Sequence, residues 1–155
     1  MRNGILSLIG GLILSALFSF GAAAQQGAIE DTITGQFEAF RADDFTAAFE
    51  FATPRLQGLF QNPDNFRRMV TSGYPMVQNP AEVRFLDQRA QGDLIWQKVQ
   101  ITDAKGFTHL LAYPLEQTDA GWRLGAVQHL DAPGANVRTA AQRPSHPLFR
   151  DQKTP

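Results

Sequence analysis

The sequence predicts an α+β fold: N-terminal helices packed on a twisted, four-stranded antiparallel meander. Three observations predict it. From Ala28 to Val70 apolar residues recur at helical spacing. From Glu82 the period changes from about 3.6 to 2. The gaps between the alternating segments, Ala90-Gln91-Gly92, Asp103-Ala104-Lys105-Gly106 and Thr118-Asp119-Ala120, are turn-like and too short for the crossovers that parallel strands need.

The chain opens Met1-Arg2-Asn3-Gly4, runs apolar from Ile5 to Phe20 and reaches Ala22-Ala23-Ala24. One positive charge, an apolar stretch and a small-residue A-x-A site are the pattern of a cleavable secretory signal peptide over 1–24. The apolar run is shorter than the roughly 20 residues a spanning helix needs, and Gly10, Gly11 and Ser15 dilute it. A single α+β domain is expected over 25–131, with a flexible tail over 132–155. Export and the absence of cysteine together suit a bacterial periplasm, with no membrane attachment after cleavage.

Lys and Arg number 14 and Asp and Glu 15, for a net charge of −1. Losing Arg2 with the leader takes one more positive charge. That balance argues against nucleic acid and against a polybasic membrane-surface protein. With no cysteine there is no disulfide, thiolate metal site or Cys nucleophile. Stability rests on the apolar core, which the phenylalanines of the domain can supply.

Ile29, Ile33, Phe37 and Phe40 lie on one side of a first helix over 28–40. After the polar corner Arg41-Ala42-Asp43-Asp44, either Asp43 or Asp44 offers an N-cap for a second helix carrying Phe45, Ala48, Phe49 and Ala52. Thr53-Pro54 ends it and caps a third turn of helix with Leu56, Leu59 and Phe60. Asn62-Pro63 repeats the cap-then-proline signal for a helix with Phe66, Met69 and Val70, and Gly73 is the expected C-cap. A loop follows over 76–81.

Strands are expected at 82–89, 93–102, 107–117 and 121–130. Four-residue and three-residue turns would pair Thr102 with Phe107, Trp96 with Tyr113 and Leu115 with Leu124. One face then carries Trp96, Leu111, Tyr113, Leu115, Trp122, Leu124, Ala126 and Leu130, with Lys98, His109 and Gln128 among them. The other carries Ile95, Val99, Ile101, Leu110, Ala112 and Val127. The first, large and aromatic, is the expected seat of the helices. The second is apolar enough to want a cover, a homodimer through the outer sheet face first and the tail second.

The element order and the polar-sprinkled aromatic interior resemble the cone-shaped fold of the nuclear-transport-factor-2-like (cystatin-like) superfamily. More closely, Ala39-Phe40-Arg41-Ala42-Asp43-Asp44, Phe51-Ala52-Thr53-Pro54, Gly73-Tyr74-Pro75, Val83-Arg84-Phe85-Leu86 and Tyr113-x-Leu115 resemble a family of exported proteobacterial proteins catalogued as a domain of unknown function, DUF 4864 type. The resemblance implies a periplasmic setting and no particular activity.

Asp43 and Asp44 are candidate general bases, weighed against a cap and a solvated acid. His109 is a second candidate base, and Tyr113 or Tyr74 a proton donor. The expected register sets His109 and His129 on opposite faces, and no ligand spacing supports a metal or other cofactor. Tyr74, Trp96, Lys98, Tyr113 and Gln128 are expected to line a cavity with apolar walls. The sequence therefore leans away from an enzyme. It favours an exported, non-catalytic domain holding an apolar small molecule or serving a partner. The alternative is a cofactor-free isomerase or lyase with a carboxylate or histidine base in the cavity.

Overall fold

The structure, a computed structural model, describes residues 14–131. The first part of the expected leader and the whole of the expected tail lie outside the described residues.

Helix α1 (Leu14–Arg41) buries the stripe anticipated above: Ile29, Ile33, Phe37 and Phe40 are each 5% exposed or less. It ends with the cation Arg41 against its negative C-terminal pole. The chain then turns through Asp43, whose φ of 56° lies in the left-handed region that Asp tolerates better than most residues.

Three side-chain caps set the next three helices. Asp44 accepts the Ala47 N–H at 2.9 Å and starts α2 (Phe45–Glu50). Thr53 accepts the Leu56 N–H at 3.2 Å and starts α3 (Pro54–Phe60). Asn62 accepts the Asn65 N–H at 2.9 Å and starts α4 (Pro63–Gly73). Pro54 and Pro63 stand in the first helical turn, where a missing N–H costs nothing. Helix α4 runs through Gly73, so Tyr74 rather than Gly73 is its C-cap, and one 3₁₀ turn (Pro75–Val77) leads into the sheet.

The sheet is an antiparallel meander of β1 (Glu82–Gln91), β2 (Leu94–Thr102), β3 (Thr108–Thr118), β4 (Gly121–Leu124) and β5 (Gln128–Leu130). Its order is β1-β2-β3-β4, and β5 pairs β3 beyond the end of β4. Helices followed by this sheet make the α+β class.

The register departs from expectation in two places. The β2–β3 turn is one residue longer than expected. Thr102 pairs with Thr108 and Gln97 with Tyr113, so Phe107 joins the turn. The Asp103 carboxylate gathers that turn: it accepts the N–H of Lys105 at 2.9 Å and of Phe107 at 3.0 Å. Gly106, at φ 85°, supplies the left-handed residue that a hairpin with a bulge requires. One residue of slip exchanges the faces of β2. Val99 and Ile101, both 0% exposed, face the helices with Leu111 and Leu115, while Trp96 and Lys98 face outward opposite Pro114 and Ala112.

The second departure is that the expected fourth strand is broken. Leu115 pairs with Leu124 as anticipated, but Ala112 then pairs with Gln128 and Leu111 with His129, which leaves one extra residue in the run 125–127. The cause is Pro114. The Gly125 N–H donates to its carbonyl at 2.7 Å, so residue 114 turns its main-chain groups toward this neighbour. Proline has no N–H to give in return, and the ladder cannot continue past it. Gly125 suits the close approach: a Cβ would sit a tight 3.1 Å from the Pro114 ring and 3.3 Å from its carbonyl oxygen.

The helical layer is clipped to the sheet at the same place. Leu124 N–H donates to Phe51 O at 2.8 Å, and Thr53 N–H donates to Leu124 O at 2.9 Å, a short parallel bridge. The junction between α2 and α3 is thus held at the end of β4.

Candidate functional site

Beside that clip lies a cavity of about 310 Å³. Its walls come from all three flanking helices: Phe40 of α1, Leu56 and Phe60 of α3, Phe66, Met69 and Val70 of α4. Tyr113 and Leu124 of the sheet form the floor, and the broken run Gly125-Ala126-Val127 forms one side. The aromatic walls are mutually braced. Phe66 stacks on Phe40 with ring centres 6.1 Å apart and meets Phe49 at 5.3 Å and Phe60 at 5.7 Å.

Helix α3 covers the cavity without entering the core. None of its residues is buried, and Leu59, which also lines the cavity, is 72% exposed. Polar links hold it in place: the Gln57 side-chain amide donates to Phe49 O at 3.0 Å and Ala52 O at 3.2 Å, and Asn65 donates to Phe60 O at 2.8 Å.

Three polar side chains reach the cavity. The Gln36 amide nitrogen donates to Ala48 O at 3.1 Å and ties α1 to α2. The Tyr74 hydroxyl donates to Val127 O at 2.7 Å and pins the broken run. Tyr113 is 2% exposed, and its hydroxyl makes no hydrogen bond to any described residue. Burial, and to a smaller degree the neighbouring Tyr74, pushes the Tyr113 phenol well above its ordinary pKa, so it stays protonated. Its ring is held edge-on by Phe37 at 6.1 Å. Among the described residues, no Asp, Glu, Lys, Arg or His lines the cavity.

Of the residues singled out from sequence, the structure brings Tyr74 and Tyr113 together at this cavity. Trp96, Lys98 and Gln128 stand on the opposite face, around a broader and shallower depression, because of the one-residue slip in β2 and the extra residue before β5. There Lys98 donates to Asp87 at 2.9 Å and holds that carboxyl below the usual range. Asp44 is the cap of α2. Asp43 pairs with Arg67, not with Arg41, at 3.0 Å, where both side chains are about half exposed. Arg67 also lies over the Phe45 ring at 4.9 Å.

His109 bonds the Asp103 carboxylate at 2.9 Å, at the far end of the hairpin, and holds that carboxyl low. His109 and His129 share the helix-facing side of the sheet, contrary to expectation, since His129 pairs with Leu111. They serve separate ends: His129 stacks on Tyr74 with ring centres 4.7 Å apart. Among the described residues no three His, Cys, Asp or Glu gather as a metal would require.

Two contributors escaped sequence reasoning. Pro114 was legible as a ladder breaker inside an otherwise clean strand. Gln97, wholly buried on the helix-facing side, carried no such signal. Its amide nitrogen donates to Leu86 O at 3.0 Å and Lys98 O at 2.7 Å, filling the irregularity between Phe85 and Gln88 of β1.

Comparison with known proteins gives a family and one structural likeness. The model of the family described as "Domain of unknown function (DUF4864)" matches residues 22–137. No curated protein matches the chain. Among solved structures, it is similar to an NTF-2 like protein of unknown function from Burkholderia xenovorans LB400. Identity is 14%, the match covers 74% of this chain and 94% of that one, and the TM-score is 0.41. Among the described residues no helix is long and apolar enough to cross a membrane. The chain belongs to the DUF4864 family.

Proposed function

We propose that this DUF4864 domain is an exported, non-catalytic binding protein that holds a small apolar molecule between its helices and its sheet. The observation that carries the reading is the lining of the cavity: mostly aromatic and aliphatic, and among the described residues with no ionisable group except two tyrosines. A volume of about 310 Å³ falls within the range of small-molecule pockets. Export rests on the Ala22-Ala23-Ala24 site after an apolar run behind Arg2.

An isomerase or lyase acting without a cofactor needs a base within hydrogen-bond reach of its substrate. Asp43, Asp44 and His109 do not line the cavity, and each already serves an ion pair, a helix cap or a turn. Among the described residues, these three candidates therefore lend the catalytic alternative no support at the cavity.

The test is mass spectrometry of the organic extract of protein purified from the periplasmic fraction, beside the Met69→Trp variant, in which a larger side chain fills the cavity. A stoichiometric apolar compound carried by the wild type and missing from the folded variant is expected. A compound carried equally by both places the binding elsewhere and overturns the reading. Sequencing of the same material from its N-terminus is expected to begin at Gln25; an intact leader on exported protein removes the cleavage part of the proposal.

A further inference from the structure

The cavity is apolar but not featureless. Tyr113 presents the one hydroxyl in its lining that has no partner among the described residues. The Tyr74 hydroxyl donates its hydrogen bond to Val127 O, and the Gln36 amide is engaged with Ala48 O. Tyr113 as a whole residue is 98% enclosed, and its hydroxyl, with no partner among the described residues, is left to take one from the cavity it lines. The position is also rigid: Tyr113 lies in the central strand opposite Gln97, with Phe37 against its ring.

We infer that Tyr113 sets the specificity of this cavity: it donates a hydrogen bond to an uncharged acceptor, a carbonyl or ether oxygen, carried on an otherwise apolar ligand. This rests on the ligand-binding reading above and narrows it to a chemical class. A purely hydrocarbon ligand would exclude water from the hydroxyl and leave it unpaired. A carboxylate-bearing ligand would enter a space to which the described residues bring no cation, and a charge so buried is far costlier than an unpaired dipole. An ammonium-bearing ligand meets the same obstacle, since no carboxylate among the described residues lines the cavity. The raised pKa of the phenol agrees, because it keeps the donor proton in place at any physiological pH.

The experiment uses three probes matched in shape, methyl naphthyl ketone, ethylnaphthalene and naphthoate, titrated into the mature protein by calorimetry. The wild type is expected to bind the ketone about tenfold more tightly than the hydrocarbon, as one buried hydrogen bond allows, and the carboxylate most weakly. Tyr113→Phe removes one oxygen and keeps the ring, and is expected to erase the preference for the ketone. Lys98→Gln, on the opposite face of the sheet and outside the cavity lining, is expected to preserve it. If all probes bind and Tyr113→Phe leaves the ketone-to-hydrocarbon ratio unchanged, the role of Tyr113 is overturned while the cavity reading stands. If none of the three binds the folded wild type, both fall.

Discussion

The two faces of β3 carry similar side chains and have different fates. Leu111, Tyr113 and Leu115 turn toward the helices and are at most 2% exposed. Leu110, Ala112 and Pro114 turn the other way. Yet Ala112 is only 8% exposed, because long side chains stand opposite the short ones: Lys98 faces Ala112, and Trp96 faces Pro114. Apolar stems can shelter small neighbours while their polar ends stay in water. An apolar face is therefore not by itself a sign of a missing layer. The enclosed side is the one backed by β-branched residues of β2 and by phenylalanine; the sheltered side is the one roofed by Trp96 and Lys98.

The comparison is broken most directly by truncating neighbours on β3. Leu111→Ala is expected to cost about 2–5 kcal/mol, as buried leucines do, and Leu110→Ala about 1 kcal/mol, measured by chemical denaturation. Equal losses would mean that the faces are not distinct.

Within the enclosed face, the two tyrosines sharpen it. Tyr74→Phe gives up the bond to Val127 O and is expected to lose about 1 kcal/mol. Tyr113→Phe removes a hydroxyl with no partner among the described residues and is expected to lose at most a few tenths of a kcal/mol in the empty protein. The difference between the two losses reads the two environments separately.

At the edge of the helical layer, Asp44→Ala is expected to cost about 1 kcal/mol and Asp44→Asn only a few tenths, since asparagine caps as well as aspartate. A large loss with Asn would show that the charge, not the cap, matters.

The smallest effect lies at the β2–β3 turn. His109 and two main-chain N–H groups hold the folded Asp103 carboxyl below its ordinary value of 3.8. Its contribution is therefore present above that value and is lost as pH falls through the lower, folded one. Amide exchange at Lys105 and Phe107 is expected to quicken across that acid window in the wild type and to be fast throughout in Asp103→Ala.

Much of the helical half was legible in the sequence. The starts of α2, α3 and α4 each have a short polar residue followed by a stripe, and Asp44, Thr53 and Asn62 cap as their side chains allow, whereas α1 begins at Leu14, well before the expected residue 28. The strands were legible as segments, but their faces were not. Asp103 closes the β2–β3 loop through several hydrogen bonds that spacing alone does not reveal, and the extra residue, Phe107, inverts everything in β2. The candidate site was half legible for the same reason. Tyr74 sits on a helix end and Tyr113 on β3, whose face was read correctly, whereas Trp96 and Lys98 sit on the inverted strand and Gln128 lies past the break.

Pro114 leaves this architecture with a gap that cannot heal itself. A side-chain gate can swing shut, but an absent amide hydrogen is absent in every rotamer and at every temperature. Beside Gly125, Ala126 and Val127 the sheet has an unstitched seam written into the covalent chain, and Tyr74 fastens one edge of it. Any residue at 114 that restored the missing hydrogen would let the fourth ribbon knit onward and would turn His129 away from Tyr74, narrowing the hollow from its floor.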